Sequence, residues 1–386
     1  MLRILYVTDS LMAGGIESQL VELVTGLDRQ RFEPHLFCLY GPRARALHFA
    51  PRVRAAHIPL YTPDLGWSAW DKARGWAGII STAWRVRPQI IQAEGYHANL
   101  LTRLAAPFLP AAKLIGTVRG MHTAKQLFYE RLSHRVCTRM VVNAPQLKTM
   151  LTTRAGVPTR KILTIPNGIS AQHYAQPHDG ALRQCLAPGA HRVLLSLGRI
   201  SFEKNMHWSV EALGMLQRRG LLPSAVRLLI VGPVQDAGAQ QALDEAIRRD
   251  SLERVVGQYP GTTHPEDYYH ACDVCVLYSP AEGLSNVSIE ALAAGRPVIL
   301  SEPANAAGVI EHGVTGWVVR AGDVEHLAET LYHIISMPDA ELAAMRAACA
   351  QRAQQYGVET LVQRYMSLYE TWSLSAASRL SLGEIV

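Results

Sequence analysis

Cysteine is scarce in this chain, and long apolar runs are absent from it. Six cysteines in 386 residues, at positions 38, 137, 185, 272, 275 and 349, are too few and too scattered for the disulfide framework of a small secreted domain. No uninterrupted apolar stretch approaches the roughly 18 residues that a membrane-spanning helix needs. The opening MLRILYVTDS reaches Thr8 and Asp9 after only a few apolar residues, too short for a signal peptide. The expectation is a protein made and kept in the cytoplasm. Self-similarity of solenoid type and low-complexity tracts are also missing, which excludes repeat arrays and long biased linkers.

Zinc-binding spacing is not present either. Cys272 and Cys275 form a CxxC, but ACDVCVLY reads as a strand, in which positions three apart point to opposite faces. No second Cys/His pair follows at zinc spacing. Core thiols are therefore expected here.

Charge is unevenly distributed around a net value of +6. Residues 1–170 carry 22 Lys and Arg against 9 Asp and Glu, a balance of +13, and the remainder carries 16 against 23, or −7. A basic first half suits an anionic lipid surface, an anionic acceptor or nucleic acid. No RNA- or DNA-binding motif accompanies the charge, so nucleic acid is not expected as a partner.

The chain is too long for one ordinary core, at roughly 100 to 200 residues per domain. Short apolar runs alternate with helical stretches almost from end to end. Runs at 3–7, 34–40, 89–93, 113–118, 140–143 and 162–166 predict one sheet, and runs at 192–198, 226–232, 254–258, 273–278, 296–301 and 316–319 predict a second. Strand-then-helix alternation gives parallel sheets with helices on both faces, hence two doubly wound, Rossmann-like α/β domains. The joint is placed in PNGISAQHYAQPHDG, 166–180, giving domains at 1–170 and 171–357. A strongly amphipathic helix in the region 358–386 is expected to pack back on the first domain. In such folds ligands bind beyond the carboxyl ends of the strands.

Several residues meet that condition. Gly14 and Gly15 follow the first strand and precede a helix with apolar positions Ile16, Leu20, Leu23 and Val24; they suit close approach to a phosphate, or a plain turn. Arg199 and Lys204 in SLGRISFEKN could converge on a diphosphate, or form a solvated loop with a local pair to Glu203. In EGLSNVSIEALAAGRPVIL, Glu282 and Glu290 stand eight positions apart in a small, apolar run. An unpaired carboxylate taken out of water costs on the order of several kcal/mol, so each needs solvent or a polar partner. Along a helix eight residues span about 12 Å, against roughly 5 to 9.5 Å for the carboxylate pair of a glycosidase. That spacing suits two contacts to distant parts of one long ligand.

Together, SLGRISFEKN, VGPVQD, YYHACDVCVLYSPAEGLSNVSIEALAAGRPVI and EHGVTGWVV, in that order, resemble the retaining glycosyltransferases of family 4. The E-x7-E element with its upstream Arg and Lys is the specific part. GGIES, EGYHANLLTRLAA and LTIPNGI match more loosely in the first half. The resemblance implies the GT-B fold, two Rossmann-like domains with a deep interdomain cleft: an N-terminal acceptor-binding domain and a C-terminal donor-binding one.

It further implies a hexosyltransferase-type enzyme, moving sugar from a UDP- or GDP-type nucleotide sugar to an acceptor hydroxyl with retained anomeric configuration. The setting would be bacterial glycan, glycolipid or polysaccharide biosynthesis, with a glycan, lipid-linked or small-molecule acceptor. By the same resemblance Glu290 binds the ribose hydroxyls, Arg199 and Lys204 hold the diphosphate, and Glu282 lies near the transferred sugar. Backbone N–H groups at Gly283, Leu284 and Ser285, at the helix start continuing through Asn286, touch sugar or phosphate. Gly15 reaches the diphosphate from the opposite domain. Where the family commonly has TVHG, this chain has TVRG, which puts Arg119 at that place with His122 three residues on. Either could serve there, and His97 in GYHANL is a further acceptor-side candidate or a structural histidine at a helix start. No Asp-x-Asp occurs, so no metal or other cofactor is expected.

Trp67, Trp70, Trp76 and Trp84 cluster in one stretch, and cations gather at Arg43, Arg45, Arg52, Arg54 and from Arg119 to Arg139. Aromatics beside cations suit attachment to the inner face of an anionic membrane, whereas the tryptophans alone suit ordinary core. Two rival functions share the diphosphate cradle: a sugar-nucleotide epimerase of GT-B architecture, and a non-catalytic sugar-nucleotide-binding protein.

Overall fold

A computed structural model describes residues 1–41, 47–66, 68–176 and 180–372. The chain divides into two compact units: Met1–Gly168 together with the segment from Val358, and Ile169–Gly357. Each is a parallel sheet between helices.

The first unit contains strands β1 (Leu2–Thr8), β2 (Phe32–Cys38), β3 (Leu60–Tyr61), β4 (Ile90–Glu94), β5 (Lys113–Val118), β6 (Arg139–Val142) and β7 (Ile162–Thr164), in the order β3-β2-β1-β4-β5-β6-β7. The second contains β8 (Arg192–Leu197), β9 (Val226–Val231), β10 (Val256–Tyr259), β11 (Val274–Leu277), β12 (Val298–Ser301) and β13 (Gly316–Val319), in the order β10-β9-β8-β11-β12-β13. Strands covered on both faces read as near-continuous apolar runs, which is why twelve of these thirteen are visible in the sequence. β3, two residues at a sheet edge, is too short to leave a pattern.

Chain order reverses direction at the β1/β4 pair in the first sheet and at the β8/β11 pair in the second. Register is set at Thr8↔Glu94 in the first and Leu194↔Val274 in the second. With right-handed crossovers, strands wound in opposite directions put their helices on opposite faces. In the first unit the helices Ala69–Val86, Tyr96–Ala105, Ala124–Ser133 and Pro145–Ala155 pack side by side in one layer, and Gly15–Gly26 packs against the C-terminal helix Val358–Glu370. Capping boxes at Ser68 and Thr123 start two of the layer helices.

The C-terminal helix supplies Leu361, Val362, Tyr365, Leu368 and Tyr369 to the same apolar cluster as Tyr6, Leu20, Leu23 and Phe32. A Cβ on Gly26 would stand 2.7 Å from Val362 Cγ2, so glycine permits this helix pair to approach. Buried polar groups also fasten it: Tyr6 donates to the Tyr369 hydroxyl (3.0 Å), which donates to Gln92 Oε1 (2.7 Å), and Gln92 donates to Glu94 (2.8 Å).

The CxxC reading needs one correction. All six cysteines are free and five are buried, but the Cys272 and Cys275 sulfurs lie 3.7 Å apart. Cys272 ends the helix Pro265–Ala271 and precedes β11, so strand alternation does not apply to the pair.

Candidate active site

The two reversal points place the sequence candidates at strand ends, the first set on one unit and the second on the other. At β8, Gly198 takes φ +142°, and a Cβ on Gly232 at the end of β9 would fall 1.6 Å from the Gly198 carbonyl oxygen. These glycines let two strand ends cross closely and turn the following loop outward. That loop carries Arg199 and Lys204 before the helix Met206–Arg218 begins.

Arg199 is about half exposed; it donates to Gln235 Oε1 at 2.6 Å and to Glu203 at 3.4 Å. The local pair to Glu203 is therefore formed, with Gln235 as a second partner. Lys204 points elsewhere. Its ammonium makes a close ion pair with Glu282, which comes from the loop after β11, and the two side chains are 16 % and 15 % exposed. The neighbouring strands β8 and β11 thus present a cation and a carboxylate to each other at the reversal point.

Glu282 is not on a helix. The helix of the E-x7-E element runs Asn286–Ala293 with Ser285 before it, so the 12 Å helical measure does not apply between the two glutamates. Gly283, Leu284 and Ser285 form the approach to its N-terminus, whose dipole favours negative charge. Glu290 lies on the helix and is engaged differently: Tyr269 donates to its carboxylate at 2.8 Å, and Tyr174 also bonds to it. Burial raises the Glu290 carboxyl above the usual carboxylate range, against the lowering effect of these hydroxyls. Sequence reading missed both tyrosines; Tyr269 sits in the recognised YYHACD element, where its helical position gave no reason to single it out.

In the first unit, Gly14 is extended and Gly15 opens the helix Gly15–Gly26; Glu17 in that first turn accepts from Ser10 at 2.6 Å. His97 is in the first turn of its helix, where Asp9 at the end of β1 accepts from the His97 and Ala98 backbone N–H groups at 3.2 and 2.6 Å. The His97 ring stands edge-on to Tyr40 and Tyr96. The helix start is thus capped by Asp9 and not by the histidine.

Arg119 in TVRG is enclosed and paired. Its side chain is 4 % exposed, and its three nitrogens donate to Glu94 (2.9 and 3.3 Å), Asn167 (2.9 Å) and Tyr365 (3.2 Å). Burial alone would lower its pKa, but Glu94 and Tyr365 together offset this and hold it above the ordinary arginine value. Charge thereby serves to join β4, β5, the 166–168 segment and the C-terminal helix. Glu94 was not foreseen, since a carboxylate closing an apolar strand run reads as a strand end.

His122 borders a cavity of about 170 Å³ with Tyr96, Asn99, Arg119, Gln126 and Tyr129. Its enclosed Nδ1 has no hydrogen-bond partner, and burial lowers its pKa, which favours the neutral ring. Arg43, Arg45 and Trp67 lie outside the described residues. Arg52 is paired bidentately with Glu22 at 2.7 Å. The core reading of the tryptophans does not hold for Trp70 and Trp84, which are 73 % and 54 % exposed. Among the described residues no helix is long and apolar enough to cross a membrane.

Two family models match: Glycosyltransferase Family 4 over residues 13–173 and Glycosyl transferases group 1 over 191–337. The chain is 27% identical to D-inositol 3-phosphate glycosyltransferase 1 of Catenulispora acidiphila over 60% of its own length and 57% of that protein. It is 26% identical to the D-inositol 3-phosphate glycosyltransferase of Streptomyces scabiei over 92% and 86% of the two chains. Matches to the first of these relatives thus span less than two thirds of their length. Among solved structures, Anabaena HepE in complex with UDP-glucose superposes with a TM-score of 0.83 at 21% identity, over 96% of this chain and 100% of that one. That likeness carries the GT-B fold. In sequence order, the first unit is thus similar to Glycosyltransferase Family 4 and the second to Glycosyl transferases group 1.

Proposed function

We propose that this protein transfers a hexose from a UDP- or GDP-type nucleotide sugar to an acceptor hydroxyl in glycan, glycolipid or polysaccharide synthesis, retaining the anomeric configuration. One observation carries the reading: Lys204 and Glu282 meet at the β8/β11 reversal point, with Arg199 on the same loop as Lys204 and Glu290 on the helix that follows Glu282. In the resting protein the Lys204 ammonium is neutralised by Glu282. An arriving diphosphate offers it a stronger anion, and as the sugar–phosphate bond breaks, Lys204 and Arg199 balance the growing charge on the leaving oxygen. Glu282, released from Lys204, is then available to a sugar hydroxyl. Glu290, held by two tyrosines, presents a fixed carboxylate to the ribose. The cations do the work that a metal ion does elsewhere, so the reaction is proposed to be metal-independent.

The relatives' names support the reading: they include glycosyltransferases acting in lipopolysaccharide and capsular polysaccharide synthesis, and HepE was crystallised with UDP-glucose. The test is a thermal-shift panel of nucleoside diphosphates and their sugars, because a ligand that binds only the folded state raises its melting temperature. The expected result is stabilisation by one nucleotide family, followed by acceptor-dependent release of the nucleoside diphosphate. Consumption of nucleotide sugar without acceptor and without nucleotide release would instead identify an epimerase.

A further inference from the structure

Large exposed apolar side chains are ordinarily scattered singly over a protein surface. Here they gather. Seven of the fifteen among the described residues, including Trp84, Leu104, Phe108, Phe128 and Leu132, lie on the layer built by the helices Ala69–Val86, Tyr96–Ala105 and Ala124–Ser133 and the short turns that follow the last two. Phe128 and Leu132 are one helical turn apart, 57 % and 62 % exposed, so both project from the same stripe. Val136 continues it at 45 %.

The exposed charge on this layer is predominantly positive. Its three helices and their turns expose Lys72, Arg74, Arg85, Lys125, Arg131 and Arg135, against two carboxylates: Asp71, partly buried and paired with Arg74 at 3.5 Å, and Glu130. Glu130 is buried and held by Arg103 at 2.7 Å, so it neutralises nothing at the surface. Lys125 and Arg131 are exposed at helical offsets of three from Phe128 and border the apolar stripe, and Arg135 is exposed in the turn that follows the helix. Trp84, although 54 % exposed, has already donated its indole N–H to the Phe108 carbonyl at 2.9 Å, which leaves its ring face without a polar demand.

We infer that this helix layer docks on an anionic lipid bilayer. The core of a protein–protein interface is depleted in lysine. A bilayer surface accepts both components at once: apolar rings enter the boundary of the acyl chains, and long cationic side chains extend to the phosphates. With no spanning helix among the described residues, attachment is to one leaflet. The inference stands on exposure and charge alone and does not depend on the glycosyl-transfer reading.

The experiment is co-sedimentation of the full chain with vesicles of equal parts phosphatidylglycerol and phosphatidylcholine, and with phosphatidylcholine vesicles alone. Binding is expected to the anionic vesicles only, and to weaken as salt shortens the reach of surface charge. The Phe128→Ala/Leu132→Ala variant should bind about tenfold or more weakly. The Lys125→Gln/Arg131→Gln/Arg135→Gln variant should bind about a hundredfold more weakly. Both are surface changes, and unchanged melting temperatures verify the fold. Absence of binding to anionic vesicles, equal binding to neutral ones, or wild-type binding by both folded variants overturns the inference. A concentration-dependent dimer that the alanine variant dissociates, with no vesicle binding, overturns it in favour of a second copy of this chain.

Discussion

Lys204 and Glu282, seventy-eight positions apart in sequence, form a close ion pair where β8 and β11 end. The pair brings together two segments of a sheet whose chain order reverses between them, which is where an open α/β sheet has a crevice for ligand.

Removing the ammonium separates its two duties. Lys204→Ala should lower turnover by about a hundredfold or more, the cost of removing a charged donor from a leaving group. Steady-state kinetics and a melt of the same preparation check this. Near-normal turnover would refute the assignment.

Glu290 couples burial to ligand binding. Its raised folded-state pKa means that burial favours the neutral acid, so its stabilising contribution is present at low pH and lost as pH rises through that pKa. Glu290→Gln should therefore melt at or above the wild type at neutral pH, with the advantage growing from acid to neutral. Donor affinity should fall about tenfold or more with the loss of a charged acceptor. Calorimetric melts across pH and donor titration read the two effects separately; a loss of both stability and affinity would contradict this account.

Arg119 is predicted to matter through the fold. Arg119→Ala leaves Glu94 buried without its cation, which costs about 3 to 5 kcal/mol. Arg119→Lys should recover part of that, because it restores charge but not the fork reaching Glu94, Asn167 and Tyr365 together. Denaturant titration of both variants measures the difference.

Gly232→Ala is expected to prevent stable folding of the second unit. The new methyl would overlap the Gly198 carbonyl oxygen, which is backbone and cannot rotate aside. Soluble yield and a melt check this; a shift of only a few degrees would refute it.

Activity should survive a chelator. If a metal-binding agent abolished turnover and manganese restored it, the diphosphate role proposed for Arg199 and Lys204 would be wrong.

Much of this architecture is legible in sequence because strands covered on both faces are mostly apolar, as in β1, β8 and β11, although β4 carries the buried Gln92 and Glu94. The Gly14–Gly15 turn and the Glu282 to Glu290 segment are legible because each sits just past such a run. Partnership across sequence distance is not. Nothing local indicates that Arg119 spends its charge on Glu94, or that Lys204 faces Glu282. The helical measure applied to the two glutamates failed for a local reason: the helix starts at Asn286, four residues after the first of them. Likewise Cys272 ends a helix, so a strand rule mispredicts its side chain.

The helix Val358–Glu370 completes the core begun by Tyr6, Leu20 and Phe32, yet the whole second unit is encoded between them. On the ribosome the second unit can therefore finish before the first. Until Tyr365 and Tyr369 emerge, the nascent chain carries an open apolar face together with Gln92 and Arg119 lacking part of their hydrogen bonding. A fragment ending at Gly168 would keep that face permanently, and truncations that remove the last helix should aggregate where the full chain does not.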